Sequence, residues 1–188
     1  MPNPFMRARL AAATALVALS LAGAASAEDT VMVGGAPMFP SKNIVENAVN
    51  SKDHTTLVAA VKAAGLVDTL AGPGPFTVFA PVNNAFDALP AGTVDTLLKP
   101  ESKDTLTKVL TAHVVAGKMS GADLMRKVKA NGGRYNMRTV SGDALTAMVR
   151  GKKLYIMDEK GAAARVTIAD VNQSNGVIHV VNKVLLPN

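Results

Sequence analysis

Three histidines, His54, His113 and His179, are the side chains of this 188-residue chain best suited to proton transfer or metal ligation near neutral pH. Their separations match no metal-ligand spacing, the carboxylates around them are scattered, and there is no cysteine to add a thiolate. His113 and His179 sit inside apolar sequence, so each is expected to be a buried imidazole whose nitrogens bond to backbone groups. The lack of cysteine also removes thiol catalysis and cysteine-held iron–sulfur clusters. No Gly-x-Ser-x-Gly, P-loop, dinucleotide glycine motif or paired carboxylates occur, and Gly72 to Pro75 lacks the lysine and hydroxyl that a phosphate loop needs. The expectation is a protein that is not an enzyme, with no catalytic residue, cofactor or metal.

Charge is the second chemical signal, because it is unevenly placed. Residues 28–117 hold six Lys and nine acids, net −3, whereas residues 118–165 hold eleven Lys and Arg against Asp123, Asp143, Asp158 and Glu159, net +7. Arg126, Lys127, Lys129, Arg134, Arg138, Arg150, Lys152 and Lys153 are read as a basic face. Such a face either concentrates anionic partners, glycan or lipid, in a salt-dependent way or is a solvated hairpin surface. Nucleic acid is not expected, since Tyr135 and Tyr155 are the only aromatic residues in the block to stack bases.

The composition, 48% hydrophobic with 18% charged residues, is that of one globular domain. Residues 1–27 start with Arg7 and Arg9, continue through an apolar run from Leu10 to Leu21 and end Ala25-Ser26-Ala27, the layout of a secretory signal peptide, the alternative being an uncleaved anchor over the uncharged stretch from Leu10 to Ala27. After cleavage no segment is long and apolar enough to span a membrane, so the mature protein is expected in the periplasm or the medium. Residues 28–41, punctuated by Gly34-Gly35, Pro37 and Pro40, are read as an extended arm.

From residue 42 onward the period is helical. Asn43 with Glu46 makes a capping box, and Asp53 opens a helix carrying Leu57, Val58, Val61 and Ala64 up to Gly65. Phe76 to Phe79 reads as a strand, after which Pro81 and Asn83 start another helix with Asn83 as its cap. Thr93 and Ser102 are expected to cap two more, and a basic helix lies near residues 121–130. Strands follow over 134–140, 144–149, 154–158, 165–171 and 177–185, jointed by turn residues such as Arg150-Gly151-Lys152 and Asn175-Gly176. Val177 to Leu186 is too apolar for a one-sided strand and belongs at the sheet centre. Met125 and the strand methionines are read as core filler, or else as the lining of an apolar groove. Helices first and strands later, with one early strand, make an α+β domain.

In this order the segments resemble the fasciclin domain over nearly all of residues 42–188, read as one such domain. Two blocks carry the likeness: Thr77-Val78-Phe79-Ala80-Pro81-Val82-Asn83-Asn84-Ala85-Phe86, and Ser174 to Pro187 with Asn175, Gly176 and His179. Between them Leu110 to Gly117, with His113, is similar to the family's Tyr-His segment, although Ala112 stands where the family usually has Tyr. The resemblance implies helices packed against a mostly antiparallel sheet and an adhesion or interaction module acting at the cell surface; with the basic face added, the expected partner is a surface protein or an anionic glycan or lipid, and the protein is expected to be a monomer. It also places Asp170 and Val171 where animal members carry an adhesion pair. Asp170 is thus either a contact residue or a strand-end acid oriented by the next turn. The alternative implied function is a carrier of an apolar small molecule, carotenoid-like or lipid-like, against which the 4% aromatic content weighs.

Overall fold

The computed structural model describes residues 29–188; the leader read over residues 1–27 lies outside them. The stretch expected as an extended arm instead pairs with itself. Strands β1 (Val31–Val33) and β2 (Ala36–Met38) form an antiparallel hairpin around Gly34 and Gly35, both at positive φ. That is the conformation a two-residue hairpin turn of this hand requires, and Gly-Gly between two apolar triplets is its sequence signal. Val33 and Met38 are buried in the main core, and a Cβ on Gly34 would lie 2.4 Å from Ser51 Oγ, so the turn is pressed against the start of the next helices.

Helix α1 (Ile44–Ala48) begins with the expected capping box: Asn43 accepts from the Val45 and Glu46 amides, and Glu46 accepts from the Asn43 amide. A 3-10 turn at Lys52–His54 leads into α2 (Thr55–Ala64), which ends on Gly65 at φ 72°, and α3 (Val67–Ala71) follows. After β3 (Phe76–Pro81) come α4 (Asn83–Asp87), α5 (Thr93–Leu97) and α6 (Lys103–Thr111). Three expected caps differ. Val82, not Asn83, occupies the cap of α4; Gly92 precedes α5 in place of Thr93; and Ser102 stands at the cap of α6 without a side-chain bond.

The rest is β4 (Val114–Ala116), α7 (Gly121–Ala130), β5 (Arg134–Arg138), β6 (Ala144–Arg150), β7 (Lys153–Met157), β8 (Ala163–Gln173) and β9 (Gly176–Val181). They make a seven-stranded sheet in the order β4-β3-β9-β8-β7-β6-β5, antiparallel except where β3 and β9 run parallel. β9 is buried at every residue, as its apolar sequence demands. Pro81 remains in register with Val181, and its missing N–H faces the side where β4 has already ended, so no ladder bond is lost. β8 shifts register twice, between Val166 and Ile168 and again before Val171, and joins two halves of the sheet. One half packs on the hairpin, α1–α3 and α6; the other packs Met137, Leu145, Ala147 and Ile156 under Leu124 and Val128 of α7. Met137 and Met148 are buried as expected, whereas Met125 is 40% exposed and fills no core.

Candidate functional site

The residues of the two sequence blocks are brackets between elements. Thr77, wholly buried on β3, donates to the Gly117 carbonyl (2.6 Å) and accepts from the Met119 amide (3.0 Å), fixing the loop before α7. His179, on the neighbouring strand, accepts at Nδ1 from the Asp170 amide (3.2 Å), so its Nε2–H donates to the Met119 carbonyl (2.9 Å). The Phe79 ring stacks on it at 5.7 Å. Asp170 completes this bracket: its carboxylate accepts from the Gly121 amide at 2.7 Å, where the first turn of α7 leaves a donor free.

His113 is built the same way. The Leu185 amide donates to Nε2 (2.9 Å), so Nδ1–H donates to the Val109 carbonyl (2.8 Å). Burial pushes this imidazole down to about 4, against smaller upward pulls from the Val109 carbonyl and from Asp158. Burial lowers His179 and His54 as well. Asn83, expected as a cap for its own helix, caps another: it accepts from the Thr56 amide at the start of α2 (3.1 Å) and donates to the Lys52 carbonyl (2.8 Å). Asn175 holds α1 and α3 against the sheet. Sequence reasoning did not single out Asn47, Gln173 and Asp158, all buried; Asp158 accepts from the Ala162 and Leu186 amides. No local signal marked them: Gln173 lies in the polar run Asn172 to Asn175, Asp158 is followed by Glu159 and Lys160, and Asn47 follows Glu46.

At the sheet end proposed for contact, Val171 is 1% exposed and packs in the main core, so it offers no surface. Asp170 is half-buried and sits at φ 60°, the one non-glycine residue at positive φ among the described residues. Replacing Asp170 with Ala should cost roughly 2 kcal/mol, the scale of a hydrogen bond to a charged group, and Asp170→Asn clearly less. Urea unfolding of both variants checks this, and equal stability of wild type and Asp170→Ala would refute the capping role.

The basic residues do not form one face. Arg126, Lys127 and Lys129 lie on α7, where Arg126 pairs with Asp123 and Lys127 Nζ sits 4.8 Å from the centre of the Tyr135 ring. On the other side of the sheet, strand register aligns Arg134, Met148, Tyr155 and Arg165 in one row across β5, β6, β7 and β8. Arg150 and Lys153, themselves a cross-strand pair, are two residues along on the same face, with Arg150 5.5 Å from the centre of the Tyr155 ring. Arg138, paired with Ala144, lies on the same face but on the opposite side of the row from Arg150, and Lys152 lies in the β6–β7 turn. Arg165 was not among the expected basic-face residues; the register that recruits it is invisible in a list of positions. Among the described residues the only ion pairs are Lys108–Asp143 and Arg126–Asp123, so Arg134, Arg150, Lys153 and Arg165 have no carboxylate partner; the first three are exposed, Arg165 and Tyr155 are half-buried, and Met148 between them is buried. No group of three or more His, Asp or Glu suited to a metal occurs among the described residues, and no described helix is long and apolar enough to cross a membrane.

Comparison with known proteins places this geometry. A model of the Fasciclin domain matches residues 52–187. The chain is 45% identical over 187 residues to Protein sll1483 of Synechocystis, covering 96% of this chain and 97% of that one. It is 36% identical over 145 residues to Immunogenic protein MPB70 of Mycobacterium bovis, covering 74% of this chain and 66% of the relative. Among solved structures, the FAS1 domain pair of the insect cell adhesion molecule Fasciclin I superposes with a TM-score of 0.69 at 17% identity, over 79% of this chain and 52% of the pair.

Proposed function

Because this chain belongs to the fasciclin domain family, we propose that it is an exported, non-enzymatic adhesion or interaction module that holds anionic surface glycan. The solved neighbour is described as a cell adhesion molecule, and that role is carried here as part of the proposal. The single observation behind the choice of partner is the row of Arg134, Arg150, Lys153 and Arg165 around Tyr155, none of them in an ion pair among the described residues.

Adjacent strands are about 4.8 Å apart, so the row spans about 14 Å across β5 to β8, a length that suits an extended polyanion. Tyr155 supplies a half-buried aromatic face at its middle. Each exposed pair contributes about 1 kcal/mol or less, so useful affinity needs several at once and falls with salt. The more specific contact expected near Asp170 and Val171 has to come from the exposed neighbours Ala169 and Asn172, since Val171 is interior and the Asp170 carboxylate is bonded to Gly121.

Binding to an acidic polysaccharide, measured by surface plasmon resonance, should weaken at least tenfold in Arg150→Glu/Arg165→Glu. The α7 pair Arg126→Glu/Lys129→Glu, of equal charge change, should lower it much less. Equal losses in the two variants would make the interaction a net-charge effect, and binding unchanged near 0.5 M salt would refute the electrostatic reading. Preference for anionic vesicles over polysaccharide would move the partner from glycan to lipid.

A further inference from the structure

An apolar cavity lies between the first helices and the sheet, walled by Val61, Leu70, Val78, Leu110 and Ile178 together with His54. Counted out to the solvent at its mouth it holds about 790 Å³ of space, of which about 60 Å³ is open to the centre of a water molecule. One water needs only ~10–15 Å³ by that measure, so the cavity admits something larger. The more exposed wall residues include Val45 and Ala48 of α1 and Val58 of α2, which are half-buried, and Lys62 of α2, which is exposed, so this side is taken as the mouth.

One polar atom in this wall is left over. His54 is 3% exposed, its Nδ1 is 2.9 Å from Ser51 Oγ, and its Nε2 is buried with no hydrogen-bond partner among the described residues. The Ala80 carbonyl faces the ring without reaching hydrogen-bond geometry. His113, the other imidazole of the wall, has both nitrogens bonded to backbone, as does His179 beyond it. The orphan is therefore specific to the cavity and not a habit of buried histidines in this chain.

The possible occupants can be sorted by what they leave unsatisfied. Water needs two to four polar partners, and beside Nε2 the wall offers only the Ala80 carbonyl that faces the ring and Ser51 Oγ, which is engaged with Nδ1. A plain hydrocarbon fills the space and leaves Nε2 unbonded. A carboxylate at the depth of His54 would be stripped of water without a counter-charge, because Lys62 sits eight residues further on, about 12 Å along the helix, at the surface. A hydroxyl both donates and accepts, so it pairs with either tautomer of the ring.

We propose that this cavity is a binding site for a compact hydrocarbon bearing one hydroxyl group, with the hydrocarbon against the aliphatic wall and the hydroxyl on His54 Nε2. The site is on the helical half of the sheet, away from the β5–β8 row, so it stands or falls independently of the glycan reading.

Cyclohexanol and methylcyclohexane, close in shape, are the probes, titrated into the whole mature chain with methyl and imidazole signals followed by NMR. Both should give saturable shifts at Val61, Val78 and Ile178, with cyclohexanol about fivefold tighter, the worth of one ordinary hydrogen bond. Only cyclohexanol should move the His54 Nε2 resonance. In His54→Phe the preference for the alcohol should vanish, and in Val58→Trp, which narrows the mouth, binding of both should be lost. No saturable shift at these methyls in the wild type overturns the site, and equal affinity for the two probes overturns the role of His54. Both readings use the wild-type protein and hold even if a variant fails to fold.

Discussion

Replacing Asn175 with alanine should cost about 4 kcal/mol, most of the margin by which a small domain stays folded. Its Oδ1 accepts from the Ile44 amide at 3.0 Å, and its Nδ2 donates to the carbonyls of Leu70 and Gly72, both at 2.8 Å. One side chain thus serves the first free donor of α1 and the last carbonyls of α3, helices more than a hundred residues earlier in the chain. Removing it leaves three backbone groups unpaired, two of the three bonds being fully buried, and water reaches them only if the helices lift from the sheet. Asn172→Ala, three positions away but exposed, should change stability by less than about 1 kcal/mol. Chemical unfolding of the two variants tests the contrast; a loss below about 1.5 kcal/mol for Asn175→Ala would mean that the helices are held by apolar contact alone.

Acid should destabilise the protein well before its carboxylates protonate. In the fold His113 titrates at about 4, because burial opposes its charged form, whereas unfolding returns it to about 6.5. Between those values the unfolded chain binds more protons than the folded one, so stability falls as the pH drops. The His113 contribution is intact above pH 6.5 and is lost progressively down to about pH 4, where it amounts to about 3 kcal/mol. His179 and His54 are lowered by the same cause and act in the same direction. Urea unfolding at pH 7.5 and at pH 4 should reveal the drop, and NMR titration should show the His113 imidazole neutral through pH 5. A native His113 that titrates near 6.5 would contradict the mechanism.

Much of the fold was legible because local chemistry and tertiary structure agreed. The Asn43–Glu46 box, the left-handed Gly65 at the end of α2 and the fully buried β9 each follow from residue types within a few positions. The first hairpin was also legible, since Gly-Gly between Val33 and Ala36 is a turn signal, and reading the prolines as marks of an extended arm hid it. Asn175-Gly176 shows a subtler limit. The two residues suggest a left-handed hairpin turn, yet the turn residues between β8 and β9 are Ser174 and Asn175, neither at positive φ. Gly176 is required for room instead: a Cβ there would lie 2.2 Å from the Phe76 carbonyl oxygen of the parallel neighbour β3.

By itself the sequence determined the α+β order, the family, the buried state of His113 and His179, and the excess of positive charge in residues 118–165. The family rests on the resemblance of two sequence blocks, and the rest on periodicity, capping and composition, which act over a few residues and are written along the chain. Only the tertiary structure decided what the polar residues do. Asn83 caps a helix it does not begin, Asp170 caps α7 from a strand, and Val171 turns inward. The basic residues divide between α7 and the opposite face of the sheet, where register adds Arg165 to Arg134, Arg150 and Lys153. The physical reason is common to all of them: a hydrogen bond or a shared face depends on which backbone group lies within 3 Å across the fold, and spacing along the sequence does not encode that distance.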